Sequence, residues 1–528
     1  MDPRAAQSLP LDRPLDPGSQ GGNVIAGLVE PLQPGYGSLS MRRRHTWLLL
    51  TIVAVALAVW RGYLVGLGPD PDSDAYGHHV IARKLLAHPG DHGVHWVWLP
   101  LFHWLQVPLV ALGGTMQFVR YANVALWTAV PLVLAGYLMR RRAADPSVAA
   151  LAGLFCLLCP IGMQMGTTGQ PEPLFALLLV ALAWSYDARR WNASALLLSA
   201  AVLTRYEAWA VLLAIGLHQG WRLARRKTLR DERDGTLGYA SVVLVPGLVV
   251  LGWALMRWPD DGRLFGFVRD TRQFATEVHG RHSAFEEGLF LGLRDALYYA
   301  YDVARRVYGL TILLVPIGLS RTHRHHFGLT LVGGAALAFI TATWLMRGTL
   351  GLDRHFVAVV PLYATAMAWG VVQLGRLARR AGRRVGVAVA SLAAGASLIS
   401  VGVGLVVWMG HWRAAIATGF RDRVAVAAYL RRLPPGAPIW CDEATVEVLS
   451  ELDRTRFVRR PPARGRGLEE LLAAARTQEV YVASWVAGLG PLRPHGTIVF
   501  RPDGATETTG LAVMVVPRRD EVRRAPTD

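Results

Sequence analysis

Residues 46–79 read TWLLLTIVAVALAVWRGYLVGLGPDPDSDAYGHH. An apolar run long enough to cross a bilayer is followed at once by three carboxylates, Asp70, Asp72 and Asp74, within five residues. Acids at the edge of a bilayer are costly to keep there. The juxtaposition reads as the mouth of a membrane-embedded reaction chamber, and it makes the chain a membrane protein before anything else is known of it.

The rest of the chain repeats the first half of that pattern. Of its 528 residues 52% are hydrophobic, gathered in long apolar runs, so the fold expected is an α-helical polytopic membrane protein. Beyond residues 46–67, further spans are expected near 119–139, 147–165, 171–186, 192–204, 206–221, 238–256, 307–320, 327–346, 355–375 and 385–408. That makes about eleven transmembrane helices. The formal charge of +18 does not point to nucleic acid. The Arg and Lys residues sit in short clusters between apolar runs, such as Arg42–Arg44, Arg140–Arg142 and Arg376–Arg384, where the positive-inside bias places them. With these spans every basic cluster falls on the side of the N-terminus. One further helix would flip everything downstream, so 96–113, interrupted by Pro100 and Pro108, is expected to be an interfacial or re-entrant segment on the outer face. Three cysteines exclude a disulfide framework, and Cys156 and Cys159 lie inside an apolar run with no second ligand pair.

Domain boundaries follow from composition. Residues 1–40, rich in Pro, Gly, Ser and Asp, are expected to be a disordered cytoplasmic tail. Residues 41–410 form the transmembrane domain. Residues 411–528 form a small soluble α/β domain, with strands expected at 438–441, 480–483, 497–501 and 511–516 and helices at 421–433 and 468–476. The span count puts that domain outside the cell membrane. The outer loop 257–306 mixes charge with aromatics, and its internal structure is not readable.

The same parity brings distant charges to one level: the acidic cluster, Glu172, Arg205 with Glu207, and Asp353-Arg354-His355 all fall on the outer face. The runs flanking Arg205-Tyr206-Glu207 are short. A helix of 12 residues covers only about 18 Å of a hydrocarbon core roughly 30 Å thick, which places those charges below the surface in the wall of a cavity. Each group also has a plainer reading. The acidic cluster is a turn whose Ser73 or Asp74 caps a helix, or a general base, or, as Asp72 and Asp74 with His78, ligands to a divalent cation such as Mg or Mn. Six of the chain's 16 histidines fall between His78 and His103, as interfacial contacts or as metal ligands. Arg354 is a snorkelling anchor or a phosphate clamp. Arg205 and Glu207 form a structural ion pair or contact substrate, and Glu172 at a helix start is favoured by the helix dipole in any case.

Taken in order, these segments resemble the membrane-embedded C-type glycosyltransferase superfamily, which includes the protein O-mannosyltransferases and the aminoarabinose transferase of bacterial lipid A. The matching residues are Asp74-Ala75-Tyr76 with Ile81-Ala82-Arg83-Lys84-Leu85, then Trp98-Leu99-Pro100-Leu101, Pro171-Glu172, Leu203-Thr204-Arg205, and Arg354-His355-Phe356 with Pro361-Leu362. The likeness covers roughly residues 45 to 375. It departs at Ala75, where relatives carry a second acid, so the base is left open between Asp74 and Asp72. The resemblance implies an inverting transfer of a sugar from a polyprenyl-phosphate donor to a hydroxyl acceptor on a protein, lipid or glycan, with no required cofactor. Asp74 or Asp72 would be the base, and Arg354, Arg205, Glu207, Glu172, Tyr76 and His355 would hold substrate. It also implies a multi-pass protein of the cell membrane. The rival readings are a transporter or flippase of lipid-linked saccharides, a ligase or transferase using a pyrophosphate-linked donor, and an inactive scaffold.

Overall fold

In the computed structural model, residues 36–140, 145–225, 236–279, 289–346, 348, 352–418, 420–441, 443–458, 465–503, 506 and 510–518 are described. The expected N-terminal tail, 1–35 for the most part, lies outside them. Residues 1–45 and 46–528 form separate units, and the account below concerns the second.

The helices are α1 (Tyr36–Gly66), α2 (Ser73–Ala87), α3 (Leu101–Ala111), α4 (Met116–Leu138), α5 (Pro146–Leu157), α6 (Pro160–Met165), α7 (Glu172–Asp187), α8 (Trp191–Val202), α9 (Glu207–Arg225), α10 (Thr236–Asp261), α11 (Gly266–His279), α12 (Leu289–Tyr308), α13 (Leu314–His325), α14 (Phe327–Leu345), α15 (Val360–Ala378) and α16 (Arg383–Thr418). Among the described residues seven helices are long and apolar enough to cross a membrane. This is a multi-pass membrane protein. The other four expected spans fold as α5 with α6, α7, α8 and α9, which fall short of that length or apolarity, so the seven long helices do not by themselves establish the expected count of about eleven.

Local chemistry explains where these helices start and break. Asp72 caps α2 by accepting from the Asp74 N–H at 3.1 Å, a role the sequence had offered to Ser73 or Asp74. Asp145 caps α5 in the same way, with Pro146 in the first turn where its missing N–H costs nothing. Pro160 then interrupts the expected span 147–165 and divides it into α5 and α6. Segment 96–113 forms only the short helix α3, tied to the α8–α9 turn by the Leu101 N–H to Leu203 carbonyl bond at 2.9 Å.

The core is a layer of α4, α5, α7, α8, α14 and α15 around Trp127, Phe155, Leu179, Leu198 and Met367, all at most 2% exposed. Glycine makes one crossing possible. A Cβ at Gly370 would meet the Leu314 carbonyl oxygen at 2.5 Å, and one at Gly318 would overlap the Ala366 carbonyl, so α13 and α15 touch backbone to backbone. The loop expected at 257–306 is in its described parts mostly helical: α10 runs on to Asp261, α11 follows, and α12 leads through a 3₁₀ turn into α13. The span expected to begin at 307 is therefore the second half of a longer element.

Beyond α16, which continues past 408 to Thr418, come α17 (Arg421–Leu430), β1 (Ile439–Cys441), α18 (Ala444–Ser450), β2 (Phe457–Val458), α19 (Gly465–Ala474), β3 (Val480–Trp485), β4 (Thr497–Phe500) and β5 (Leu511–Val516). They form one five-stranded sheet in the order β2-β1-β3-β5-β4, parallel from β2 to β3 and antiparallel from β3 to β4. The two-residue β2 and the seven-residue α18 carry too few residues to show a period, and the sequence reading missed both. α18 packs through Ala444, Val448 and Leu449 on Tyr76 and Val80 of α2.

Candidate active site

The first acid of the cluster is a structural latch. Asp70 is buried, accepts from the Asp72 N–H at 3.0 Å and the Gly169 N–H at 2.7 Å, and lies 3.7 Å from the Arg120 guanidinium of α4. Arg120 also donates to the carbonyls of Thr167 at 2.7 Å and Gly68 at 2.6 Å. The pair staples the α1–α2 loop to the α6–α7 loop. Removing one partner of a fully buried pair strands the other's charge, which costs about 3–5 kcal/mol. Arg120→Met is therefore expected to lower the thermal midpoint in detergent sharply, with much of the loss restored in Arg120→Met/Asp70→Asn. An undiminished midpoint in the single variant would show that the latch carries no load.

Around the latch the other expected charges converge. Arg354, in the turn leading into α15, donates to Asp72 at 2.8 Å and to Asp74, and its Nε lies 3.7 Å from Glu172 at the start of α7. Arg205, in the α8–α9 turn, pairs with Glu172 at 2.5 Å and Glu207 at 2.9 Å and donates to His355 Nδ1 at 2.6 Å. His355 in turn lies 3.2 Å from Glu207. Four carboxylates thus share two guanidiniums, in one continuous network assembled from residues 72 to 355.

A cavity of about 430 Å³ opens over this network, with Asp74, Arg205, Glu207, Arg354 and His355 in its lining and Trp96, Trp98, Phe102, Phe274, Phe339 and Ile340 among its walls. The two catalytic candidates differ here. Asp74 lines the cavity and its side chain is 36% exposed, whereas Asp72 lies behind it at 18%. Burial raises the proton affinity of both. At Asp74 the Arg354 charge and hydrogen bond outweigh burial and hold the carboxyl below its ordinary value. At Asp72 burial prevails over Arg354 and the group is raised. The two neighbouring carboxyls are thus driven in opposite directions, and only Asp74 faces the cavity.

No protein-family model matches the sequence, and no curated protein matches it by sequence. Solved structures do match. The crystal structure of ArnT from Cupriavidus metallidurans bound to undecaprenyl phosphate aligns with a TM-score of 0.54 at 16% identity, over 88% of this chain and 97% of that one. The apo ArnT structure from the same organism aligns at 0.53 and 17%, with the same coverage. This chain has the ArnT fold. The resemblance drawn from the motifs, to the C-type glycosyltransferases, thus holds at the level of the fold, and the alignment reaches well beyond residues 45 to 375.

Within the ArnT fold, most of the residues singled out in the sequence meet at one place, while Tyr76 and the expected three-residue cation set do not have the expected geometry. Tyr76 is not a cavity residue. It sits two positions after Asp74, roughly 200° around α2, and its ring is buried against Phe420, 6.2 Å away edge to face, in the cluster with Val80 and Met116. The cation set Asp72, Asp74 and His78 does not converge either. Among the described residues no group of three or more His, Cys, Asp or Glu is placed to hold a metal ion. Arg354 occupies both acids, and His78 Nδ1 is bonded to His103 Nε2 at 2.7 Å. Burial pulls His78 down to about 3, so it is neutral.

Other parts of the site fall in segments that the sequence reading put on the outer face without giving these residues a role. Val268, Thr271, Arg272 and Phe274 of α11 line the cavity, and Phe274 meets Trp96 at 5.1 Å edge to face. Tyr206 ties α11 to the floor, its hydroxyl donating to the Val97 carbonyl at 2.8 Å and lying 3.3 Å from Thr271 Oγ1. The signal for α11 was its amphipathic period, obscured by the charges around it. Gln170 also lines the cavity, only 1% exposed.

Proposed function

We propose that this protein is an inverting glycosyltransferase that moves a sugar from a polyprenyl-phosphate donor to a hydroxyl acceptor. The reaction takes place on the outer face of the cell membrane, with the N-terminus cytoplasmic and the sheet-bearing C-terminal domain extracytoplasmic. The observation that carries this reading is the position of Arg354, hydrogen-bonded to both Asp72 and Asp74 at the floor of a cavity with largely apolar walls. ArnT, whose fold this chain shares, was crystallised with undecaprenyl phosphate.

The network describes a resting state. Arg354 holds Asp74 as a carboxylate of low basicity. An arriving donor phosphate competes for the guanidinium, whose fork matches phosphate oxygens as well as carboxylates. As Arg354 turns to the phosphate, Asp74 loses its counter-ion and becomes a stronger base. It takes the acceptor's proton, the acceptor oxygen bonds to the anomeric carbon from the face opposite the phosphate, and the carbon–oxygen bond to phosphate breaks. The leaving phosphate gains charge in the transition state, where Arg354 and Arg205 stabilise it most.

This hand-over has a pH signature. The acid limb of kcat/KM reports the free enzyme and that of kcat the complex. In the free enzyme Asp74 is held below its ordinary carboxylate value, so the acid limb of kcat/KM is expected below that of an ordinary carboxylate. The kcat limb is expected at higher pH, because Asp74 has by then lost Arg354. Coincident limbs would sink the hand-over.

The excess of carboxylates supports a second reading. Adding a phosphate to four acids and two guanidiniums calls for a proton on one of the acids, or for a divalent cation such as Mg or Mn bound together with a pyrophosphate-linked donor. The direct test is turnover in proteoliposomes with undecaprenyl-phosphate-linked hexoses and pentoses, with and without EDTA, alongside mass spectrometry of lipids and glycoproteins from cells with and without the gene. Transfer that survives chelation supports the proton. Transfer lost on chelation and restored by Mg or Mn supports the cation, and no transfer from any lipid-phosphate donor overturns the proposal.

A further inference from the structure

One indole in the cavity wall touches the helix that carries Asp74. Asp74, Gly77 and His78 stand three and four positions apart on one face of α2. The Trp98 ring lies against that face at Gly77. A Cβ at residue 77 would come within 2.8 Å of Trp98 Cη2 and 3.1 Å of Cζ3, closer than non-bonded carbons approach, so the ring keeps its place only while that residue is glycine. His78 holds the same indole with 4.5 Å between ring centroids. Asp74, His78 and Trp98 all line the cavity, and Trp98 is half-buried. The indole thus meets α2 about 4.5 Å along the helix axis from the carboxylate-bearing residue.

The turn that carries this indole is pinned from several sides. The Trp98 N–H donates to the His95 carbonyl at 2.9 Å, and the Trp96 N–H to the Gly93 carbonyl at 3.1 Å. The Val97 carbonyl accepts from the Tyr206 hydroxyl at 2.8 Å. Trp96 itself has a φ of +51°, a left-handed conformation that is costly for any residue but glycine and persists where the surroundings impose it. Its ring is 46% exposed and lines the cavity. It stands at right angles to Trp98, with 6.0 Å between centroids, and meets Phe274 of α11 edge to face at 5.1 Å.

The neighbours of Trp98 decide what packs on it. The carbon that changes partners lies between the base and the leaving phosphate. With Asp74 as base and Arg354 on the phosphate, the ring bearing that carbon falls within one ring's width of Asp74, where the indole is. Thr204 and Arg205 line the same cavity and offer polar partners to its hydroxyls. The polyprenyl chain leaves from the other side of the phosphate and has a separate apolar wall, Phe339 and Ile340 of the long apolar helix α14.

We propose that Trp98 is a substrate-binding residue, the platform on which the C–H groups of the transferred sugar's ring pack, and that Gly77 is a positioning residue that admits the indole to α2. This rests on the glycosyltransferase reading and adds the class of ligand, a pyranose with ring C–H groups gathered on one face.

Two measurements test it. The first needs no turnover. The full-length chain, its 18 tryptophans labelled as 5-fluorotryptophan, is followed by ¹⁹F NMR in lipid bilayers, and the Trp98 signal is the one missing from Trp98→Phe. That signal is expected to move in Gly77→Ala, to move on adding undecaprenyl-phosphate sugar, and to stay in place on adding undecaprenyl phosphate alone. A signal that Gly77→Ala leaves unmoved overturns the positioning role. A signal that no lipid moves, or that undecaprenyl phosphate alone moves as far as the sugar-bearing lipid does, overturns the platform.

The second is turnover with donors varied one part at a time: different sugars on one polyprenyl chain, and one sugar on chains of different length. Trp98→Leu is expected to lower kcat/KM about tenfold, the scale of one aromatic contact, and Trp98→Phe to keep most of the activity. The loss in Trp98→Leu should change with the sugar and stay the same across chain lengths. A loss that follows chain length, or one identical for every sugar, overturns the platform while the glycosyltransferase reading stands. Gly77→Ala should also lower kcat/KM, although alanine favours the helix itself. It should cost nothing further in the Trp98→Leu background, where the smaller side chain leaves room for the Cβ. Independent, multiplying losses would overturn the role of Gly77. No transfer from any lipid-phosphate donor removes the glycosyltransferase reading, and the fluorine signals still decide whether Trp98 meets a sugar.

Discussion

Asp74→Asn is expected to abolish measurable transfer while the protein still inserts and purifies normally. Asparagine keeps the shape of the side chain and its place in the first turn of α2, but it cannot take a proton from an attacking hydroxyl. General-base assistance is typically worth about 10²–10⁴-fold, and a loss in the upper part of that range would leave turnover below detection. Asp72→Asn is the discriminating control. Asp72 is the N-cap of α2 and lies behind Asp74, and asparagine caps a helix about as well as aspartate. Its loss should therefore weaken only the hold on Arg354, with a fall of about tenfold, mostly in KM. The reverse order of effects would make Asp72 the base. Unchanged turnover in both single variants would remove the general-base assignment altogether.

That the sequence could point to Asp74 at all reflects how expensive charge is near hydrocarbon. Asp72, Asp74, Glu172, Arg205, Glu207 and Arg354 were legible because each interrupts or borders an apolar run, and a single assumption about sidedness brought them to one level. The structure joins them through ion pairs of 2.5–2.9 Å. Neutral polar residues give no such signal. Gln170 adjoins Pro171-Glu172 and His103 ends the histidine-rich stretch, but the partners that His103 reaches through space cannot be read from the sequence. Tyr76 was expected among the substrate residues from the family motif Asp74-Ala75-Tyr76, whereas helical geometry turns the Tyr76 and Asp74 side chains to opposite faces. Its true neighbours, Phe420 and Ala444, belong to a segment more than three hundred residues away. The helices divided according to the same logic. Long apolar stretches such as α4 and α14 were found nearly to the residue, while α11 and α12, which bear charge along one face, could not be told from a loop.

Arg354 should give the other large effect, and it separates charge from geometry. Arg354→Lys keeps the positive charge but loses the planar fork that reaches Asp72 and Asp74 together. A fall of about 10²–10³-fold in kcat is expected, the cost of one misplaced stabiliser of transition-state charge. Arg354→Met removes the charge as well and leaves Asp72, Asp74 and Glu172 with Arg205 as the remaining guanidinium of the network. This variant should expose the counter-ion role through stability rather than rate. In the unaltered protein Asp74 is held below its unfolded value, so its contribution is present at neutral pH and is lost as pH falls through the folded pKa. Without Arg354 the same buried carboxylates crowd one another and are raised. Their folded state then tolerates acid and loses stability as pH rises through the raised values. The gap in thermal midpoint between the unaltered protein and Arg354→Met should accordingly be widest near about pH 8 and narrow steadily toward about pH 4. A gap that stays constant across that range would mean that Arg354 does not neutralise the acids beside it. The hand-over of its guanidinium from carboxylates to phosphate would then have no physical basis.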